Sequence, residues 1–119
     1  HPESSKLMLK NYSKKELDID IQLPDYEHLE KPLVEVFTVD SASCAACGYL
    51  KESAMRLLKV FGDAIDVIEY KITKIENVAR VKKLGVRNLP SIYVNGKLYV
   101  SSIIPPHNEF VEYIKKHLK

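Results

Sequence analysis

Ser41-Ala42-Ser43-Cys44-Ala45-Ala46-Cys47-Gly48 holds both cysteines of the chain, three positions apart, where a strand-like run gives way to a helix-like one. Cysteines so spaced can close a disulfide across the first turn of a helix, since their Cα atoms then fall in the roughly 4.4–6.8 Å range the bond needs. The pair reads as thiol–disulfide exchange chemistry. Zinc sites share this spacing, but they need further ligands. His28 and His107 could in principle join the cysteines, yet neither has finger-like spacing, so no metal is expected.

Working outward, Leu33-Val34-Glu35-Val36-Phe37-Thr38-Val39 is rich in β-branched and aromatic residues and nearly continuous in apolar character, as expected of a central strand covered on both faces. After Gly48, the positions Leu50, Ala54, Leu57, Leu58 and Phe61 recur at helical spacing, and Gly62-Asp63 gives a stop. Cys44 is therefore expected at or just before a helix start, with Cys47 inside its first turn. Ala64 to Ile72 reads as a second strand. Thr73 is placed to cap a helix from about Lys74 to Leu84, with Glu76 near a capping box and Gly85 as its end. This is the βαβ order, whose strands run parallel with a right-handed crossover.

Leu89-Pro90-Ser91-Ile92-Tyr93-Val94, then Asn95-Gly96, then Lys97-Leu98-Tyr99-Val100 predicts a hairpin, because Asn-Gly suits the type I′ turn between short strands. Pro106 sits where a first helical position tolerates it, and Phe110, Val111, Ile114 and Leu118 form the apolar stripe of a closing helix. Residues 1–32 have the weakest pattern and read as an N-terminal extension to a globular unit over 33–119. Within the extension, Leu17-Asp18-Ile19-Asp20-Ile21-Gln22-Leu23 alternates apolar and polar up to Pro24, which suits either an added edge strand or a loosely ordered arm.

The 119 residues suit one domain with a single modest core, and 45% hydrophobic with 29% charged is an ordinary globular composition. Lys+Arg 18 against Asp+Glu 16 gives a net charge of +2, too small to imply a nucleic-acid or anionic-membrane partner. No apolar run approaches the roughly 18–20 residues that span a bilayer. The basic end, Lys115-Lys116-His117-Leu118-Lys119, reads as the cation-favouring last turn of a helix. Two cysteines in one close pair do not form the scattered framework of a small secreted protein. No secretory signal pattern is present, and cytoplasm is the expected compartment. The His1-Pro2 start, without a methionine, suggests a piece of a longer or processed chain.

The order strand, cysteine pair, helix, strand, helix, proline-started hairpin, helix resembles the thioredoxin superfamily over roughly residues 33–119. The resemblance rests on Cys44-Ala45-Ala46-Cys47, on Gly85-Val86-Arg87-Asn88-Leu89-Pro90 and on Val94-Asn95-Gly96-Lys97. It implies an α/β fold with a central mixed sheet of about four strands, a parallel βαβ unit plus an antiparallel hairpin, flanked by helices. It also implies that Cys44 is the nucleophile, favoured as thiolate by the helix end, and that Cys47 resolves the mixed disulfide. Pro90 would follow a cis peptide bond, with Leu89 offering backbone groups to an extended substrate. Without the cysteines, a trans proline opening an edge strand would be the reading.

The pattern departs from the family in places. Tryptophan is absent, Ser43 precedes the first cysteine, Ala45-Ala46 separates the pair and Gly48 follows it. Many thioredoxins carry a buried acid that assists the resolving thiol; Thr38 falls six residues before Cys44, and Asp40 reads as a loop or capping residue. Tyr49, Tyr93 and Tyr99 read as packing residues with wet hydroxyls. The resemblance implies a thiol–disulfide oxidoreductase that needs no bound organic cofactor, acting on a disulfide-containing protein and served by a reductase or oxidant partner. The alternative is a binding or redox-sensing domain of a larger protein, without turnover of its own.

Overall fold

All six residues of β1 (Leu33–Thr38) are buried, so every backbone N–H and C=O along it must find a partner inside the protein. Two neighbouring strands supply them. β2 (Asp66–Lys71) lies parallel on one edge, with Leu33 opposite Asp66 and Thr38 opposite Lys71, and β3 (Ser91–Val94) lies antiparallel on the other. β4 (Lys97–Ser101) continues antiparallel from β3, giving the order β2-β1-β3-β4. The computed structural model describes residues 20–40 and 42–119, and over these the expected mixed four-stranded sheet is present.

Helices cover both faces. Between β1 and β2 the chain forms α1 (Ala45–Met55), α2 (Leu57–Phe61) and a short 3₁₀ turn (Gly62–Ala64). One unbroken helix was expected there; the structure instead breaks it at Arg56. α3 (Ile75–Leu84) links β2 to β3, and α4 (His107–Lys115) closes the fold with Pro106 as its N-cap rather than its first turn. Strand alternation sorts the core. Val34 and Val36 point to one face and pack with Leu50, Ala54 and Leu57 and with Phe110 and Ile114 of α4. Phe37 points to the other and packs with Val78 and Val81 of α3, with Leu89 and with Tyr93.

Thr73 does not cap α3. The N-cap is Lys74, which makes no side-chain cap bond, and Asn77 secures the turn by donating its Nδ2 to the Lys71 carbonyl at 2.8 Å. At the other end Gly85 adopts φ 85°, the left-handed conformation that lets the last carbonyls be satisfied. The hairpin turn forms as expected, with Asn95 at φ 51° and Gly96 at φ 82°. Gly96 is required for a second reason: a Cβ there would stand 2.7 Å from the ring of Tyr26.

Tyr26 belongs to the stretch preceding β1. Of the alternating segment 17–23, residues 17–19 lie outside the described residues, and Asp20–Leu23 forms no strand. This part is held to α3 by a side chain: Lys83 Nζ donates to the Ile21 carbonyl at 2.6 Å and lies 3.7 Å from the Asp20 carboxylate. Further along, the Tyr26 hydroxyl donates to Glu35 Oε1 at 2.7 Å.

Glu35 is an acid in the middle of the central strand, with none of its surface exposed. It shares the α3 face with Tyr70, whose ring carries the Arg80 guanidinium at 4.4 Å from its centroid. Burial raises the Glu35 carboxyl above the usual range, and the hydrogen bond from Tyr26, with Tyr70 and the Arg80 charge nearby, offsets only part of that rise. A raised folded-state value means that the stabilising contribution is fully present below the unfolded carboxyl value, about 4.3. It is lost as pH rises through the folded value. Glu35→Gln keeps an acceptor for Tyr26 without an ionisable group. Its stability relative to wild type should therefore grow from pH 4 toward neutrality in urea denaturation series, and a pH-independent difference would contradict this account.

Candidate functional site

β1 ends at Thr38, and the loop beyond it is folded around Asp40. The Asp40 carbonyl accepts the N–H groups of Ser43 at 3.1 Å and Cys44 at 2.9 Å, while its carboxylate accepts the N–H of Ala42 at 3.0 Å. Asp40 is thus a loop residue, as its position suggested, and caps no helix. The turn delivers Cys44 to the N-cap of α1 in extended conformation (φ −114°, ψ 108°), and its sulfur accepts the N–H of Cys47 at 3.2 Å. Sulfur here takes the role that a serine or aspartate oxygen plays at most helix starts.

Cys44 and Cys47 are joined as a disulfide with their Cα atoms 5.2 Å apart. The two sulfurs differ in surroundings. Cys44 is half-buried at the rim, whereas Cys47, inside the first turn, is fully buried. No acidic residue lies in that first turn, so the positive end of the helix is not offset locally.

The sheet brings the proline to the same end. Phe37 pairs with Ser91, so Pro90 stands one step beyond, beside the end of β1 from which the cysteine loop departs. The Leu89–Pro90 peptide bond is cis. The Leu89 side chain is buried in the α3-face core, and the Pro90 carbonyl accepts the Ser102 N–H at 2.9 Å, tying the proline to the end of β4.

A carboxylate the sequence did not reveal completes this end of the sheet. The buried Thr38 hydroxyl donates to Glu69 Oε2 at 2.9 Å, and Lys51, one turn beyond Cys47 on α1, lies 3.4 Å from Glu69 Oε1. Glu69 thereby links the end of β1, strand β2 and the helix that carries the disulfide. Its only signal in the sequence was an acid within a predicted strand. The parallel register, which sets Glu69 opposite Val36 and so within side-chain reach of Thr38, could not be read from there.

Among the tyrosines, Tyr93 is buried and Tyr99 stacks between Phe110 and Tyr113 at 4.8 and 4.3 Å, but Tyr49 is 56% exposed beside the disulfide, so it is not a packing residue. His28 pairs with Asp25 at 2.7 Å, and no metal-ligating cluster exists among the described residues. Glu69→Ala should cost about 1–3 kcal/mol in chemical denaturation, because it leaves the Thr38 hydroxyl buried without its acceptor. Adding Thr38→Val should recover part of that loss; strictly additive losses would show that the two groups are not coupled.

A family model described as a thioredoxin domain matches residues 34–115. No curated protein matches the chain. Among solved structures, the fold is similar to thioredoxin-2, a component of the malaria parasite protein secretion machinery (24% identity, TM-score 0.60, covering 73% of this chain and 84% of that one). It is also similar to a thioredoxin mutant from Halobacterium salinarum (17% identity, TM-score 0.55, 75% and 76% covered). Mitochondrial thioredoxin 3 of Saccharomyces cerevisiae in its oxidised form gives a further match (17% identity, TM-score 0.53, 72% and 78% covered). At these identities the structures establish likeness of fold. The family model, running from the second residue of β1 to the last of α4, shows that this chain belongs to the thioredoxin domain family.

Proposed function

We propose that the protein is a thiol–disulfide oxidoreductase acting on protein disulfides through Cys44 and Cys47. The observation that carries this reading is the asymmetry of the pair: Cys44 is at the rim on a helix N-cap, and Cys47 is fully buried one turn in. In the reduced protein the Cys44 thiolate, stabilised by the free N–H groups of the first turn, attacks one sulfur of a substrate disulfide. The substrate S–S bond breaks, one substrate sulfur leaves as thiolate, and the other is held to Cys44. The Cys47 thiolate then attacks Cys44 Sγ, closing the internal disulfide and releasing the second substrate thiol. The substrate gains two electrons and the cysteine pair loses them; a separate reductase restores the dithiol, or, in the opposite direction, an oxidant restores the disulfide.

Leu89 and Pro90 are the platform for an extended substrate segment in this reading, since they stand at the sheet end from which the cysteine loop departs. Glu69, bonded to Thr38 and paired with Lys51, fixes the helix and the strand that carry the site against one another. The expected setting is the cytoplasm; among the described residues no helix is long and apolar enough to cross a membrane.

Cys47→Ser should accumulate protein adducts linked through Cys44 that dithiothreitol releases, whereas Cys44→Ser should form none and lose insulin reduction. A folded wild-type protein that reduces no insulin with any reductant would instead favour a docking or redox-sensing module. The reduction potential of the pair decides direction, with reducing thioredoxins near about −270 mV and strong oxidants near about −120 mV.

A further inference from the structure

On the α3 side of the sheet, a cleft of about 250 Å³ opens one residue beyond Pro90. α3 covers the face of β1 but not the outer part of β3 and β4, where Leu98 remains 53% exposed. The uncovered strands form the floor, with Ser91, Tyr93, Leu98 and Ser101, and the loop leading to the proline forms the wall, with Arg87 and Asn88. Of these residues only Arg87 carries a charge.

The cleft is rich in donors. Ser91 Oγ donates to the Asn88 carbonyl and lies 3.2 Å from Ser101 Oγ, so these hydroxyls are partly engaged with one another. Arg87, Asn88 and Tyr93, whose side chains all carry donors, line the same cleft. Arg87 is close enough to that phenol to offset part of the rise that burial gives its pKa. None of the ion pairs among the described residues uses Arg87. A guanidinium with five donors and no ion-pair partner among the described residues favours a carboxylate ligand. The exposed Leu98 side chain would meet methylene groups leading to that carboxylate.

We propose that this cleft is a specificity subsite that takes an acidic side chain, glutamate above all, of the substrate polypeptide close to its reacting cysteine. The inference rests on the exchange reading above. A substrate segment laid over Leu89–Pro90 passes the Arg87–Asn88 wall, because those residues immediately precede the platform in the chain. At about 3.3 Å per extended residue, three substrate residues span about 10 Å. The subsite adds no step to the chemistry; it orients the segment that carries the sulfur under attack.

The test uses symmetric disulfides of short cysteine peptides, with glutamate or glutamine at each position within about three residues of the cysteine. Pre-reduced protein is mixed with each disulfide, and release of peptide thiol is followed by chromatography. One position should show glutamate faster than glutamine by about fivefold at low ionic strength, with the preference shrinking as salt is raised. Arg87→Gln should abolish that preference while leaving the rate for the glutamine peptide unchanged. Equal rates for glutamate and glutamine at every position, or an Arg87→Gln variant that slows both peptides alike, would overturn the subsite and leave the exchange reading standing. Failure to reduce any peptide disulfide would count against the exchange reading itself and remove the subsite with it.

Discussion

A strand with no exposed residue cannot leave its backbone to water, and the complete burial of β1 forces a partner onto each of its edges. The parallel partner requires a crossover, and that crossover is the segment containing the cysteine loop, α1 and α2. The antiparallel partner brings the start of β3, and with it Pro90, to the same end of β1. The disulfide and the proline therefore share one end of the sheet because one strand must be hydrogen-bonded on both sides. Neither needs a dedicated contact to find the other.

The same burial makes the polar residues of β1 consequential. Glu35 on one face and Thr38 on the other are both fully buried; the Thr38 hydroxyl and one Glu35 oxygen are bonded from outside the strand, while Glu35 Oε2 has no partner. Tyr26 reaches Glu35 from the segment before the sheet, so this part of the chain is joined to the centre of the fold although it forms no strand of its own. Thr38 reaches Glu69 across the parallel pair, and Lys51 brings α1 into the same network. One polar cluster thus fixes the N-terminal segment against the sheet, while the other fixes the helix that presents the cysteines. An unpaired group in either place would forfeit its solvation without return.

Much of the fold was legible because it follows from local chemistry. The apolar run of β1, the stripe of α3 and the Asn95-Gly96 turn each carry their own physical signal and appear where their residues imply, whereas α4 ends at Lys115, short of Leu118 in its expected stripe. The misreadings came from choices that neighbours make. Thr73 is a good capping residue by type, but Asn77 holds the start of α3 by reaching back to Lys71. The alternating run Leu17–Leu23 left an edge strand and a loosely ordered arm both open, and of its described part Asp20 and Ile21 are held by Lys83, a side chain of α3. Tyr49 has the residue type of a core packer and the position of a surface beside the disulfide.

By itself the sequence determined the cysteine spacing, the helix start that places Cys44 at its cap, the order of elements and the proline ahead of β3. These are properties of a few adjacent residues, and backbone sterics and periodicity are enough to express them. Only the tertiary structure decided that Glu69 lies against Thr38, that Tyr26 covers Gly96 and bonds Glu35, and that Arg87 stands over an uncovered part of the sheet. Each of these depends on strand register or on which face a helix leaves open, and both are settled by contacts between segments far apart in the chain.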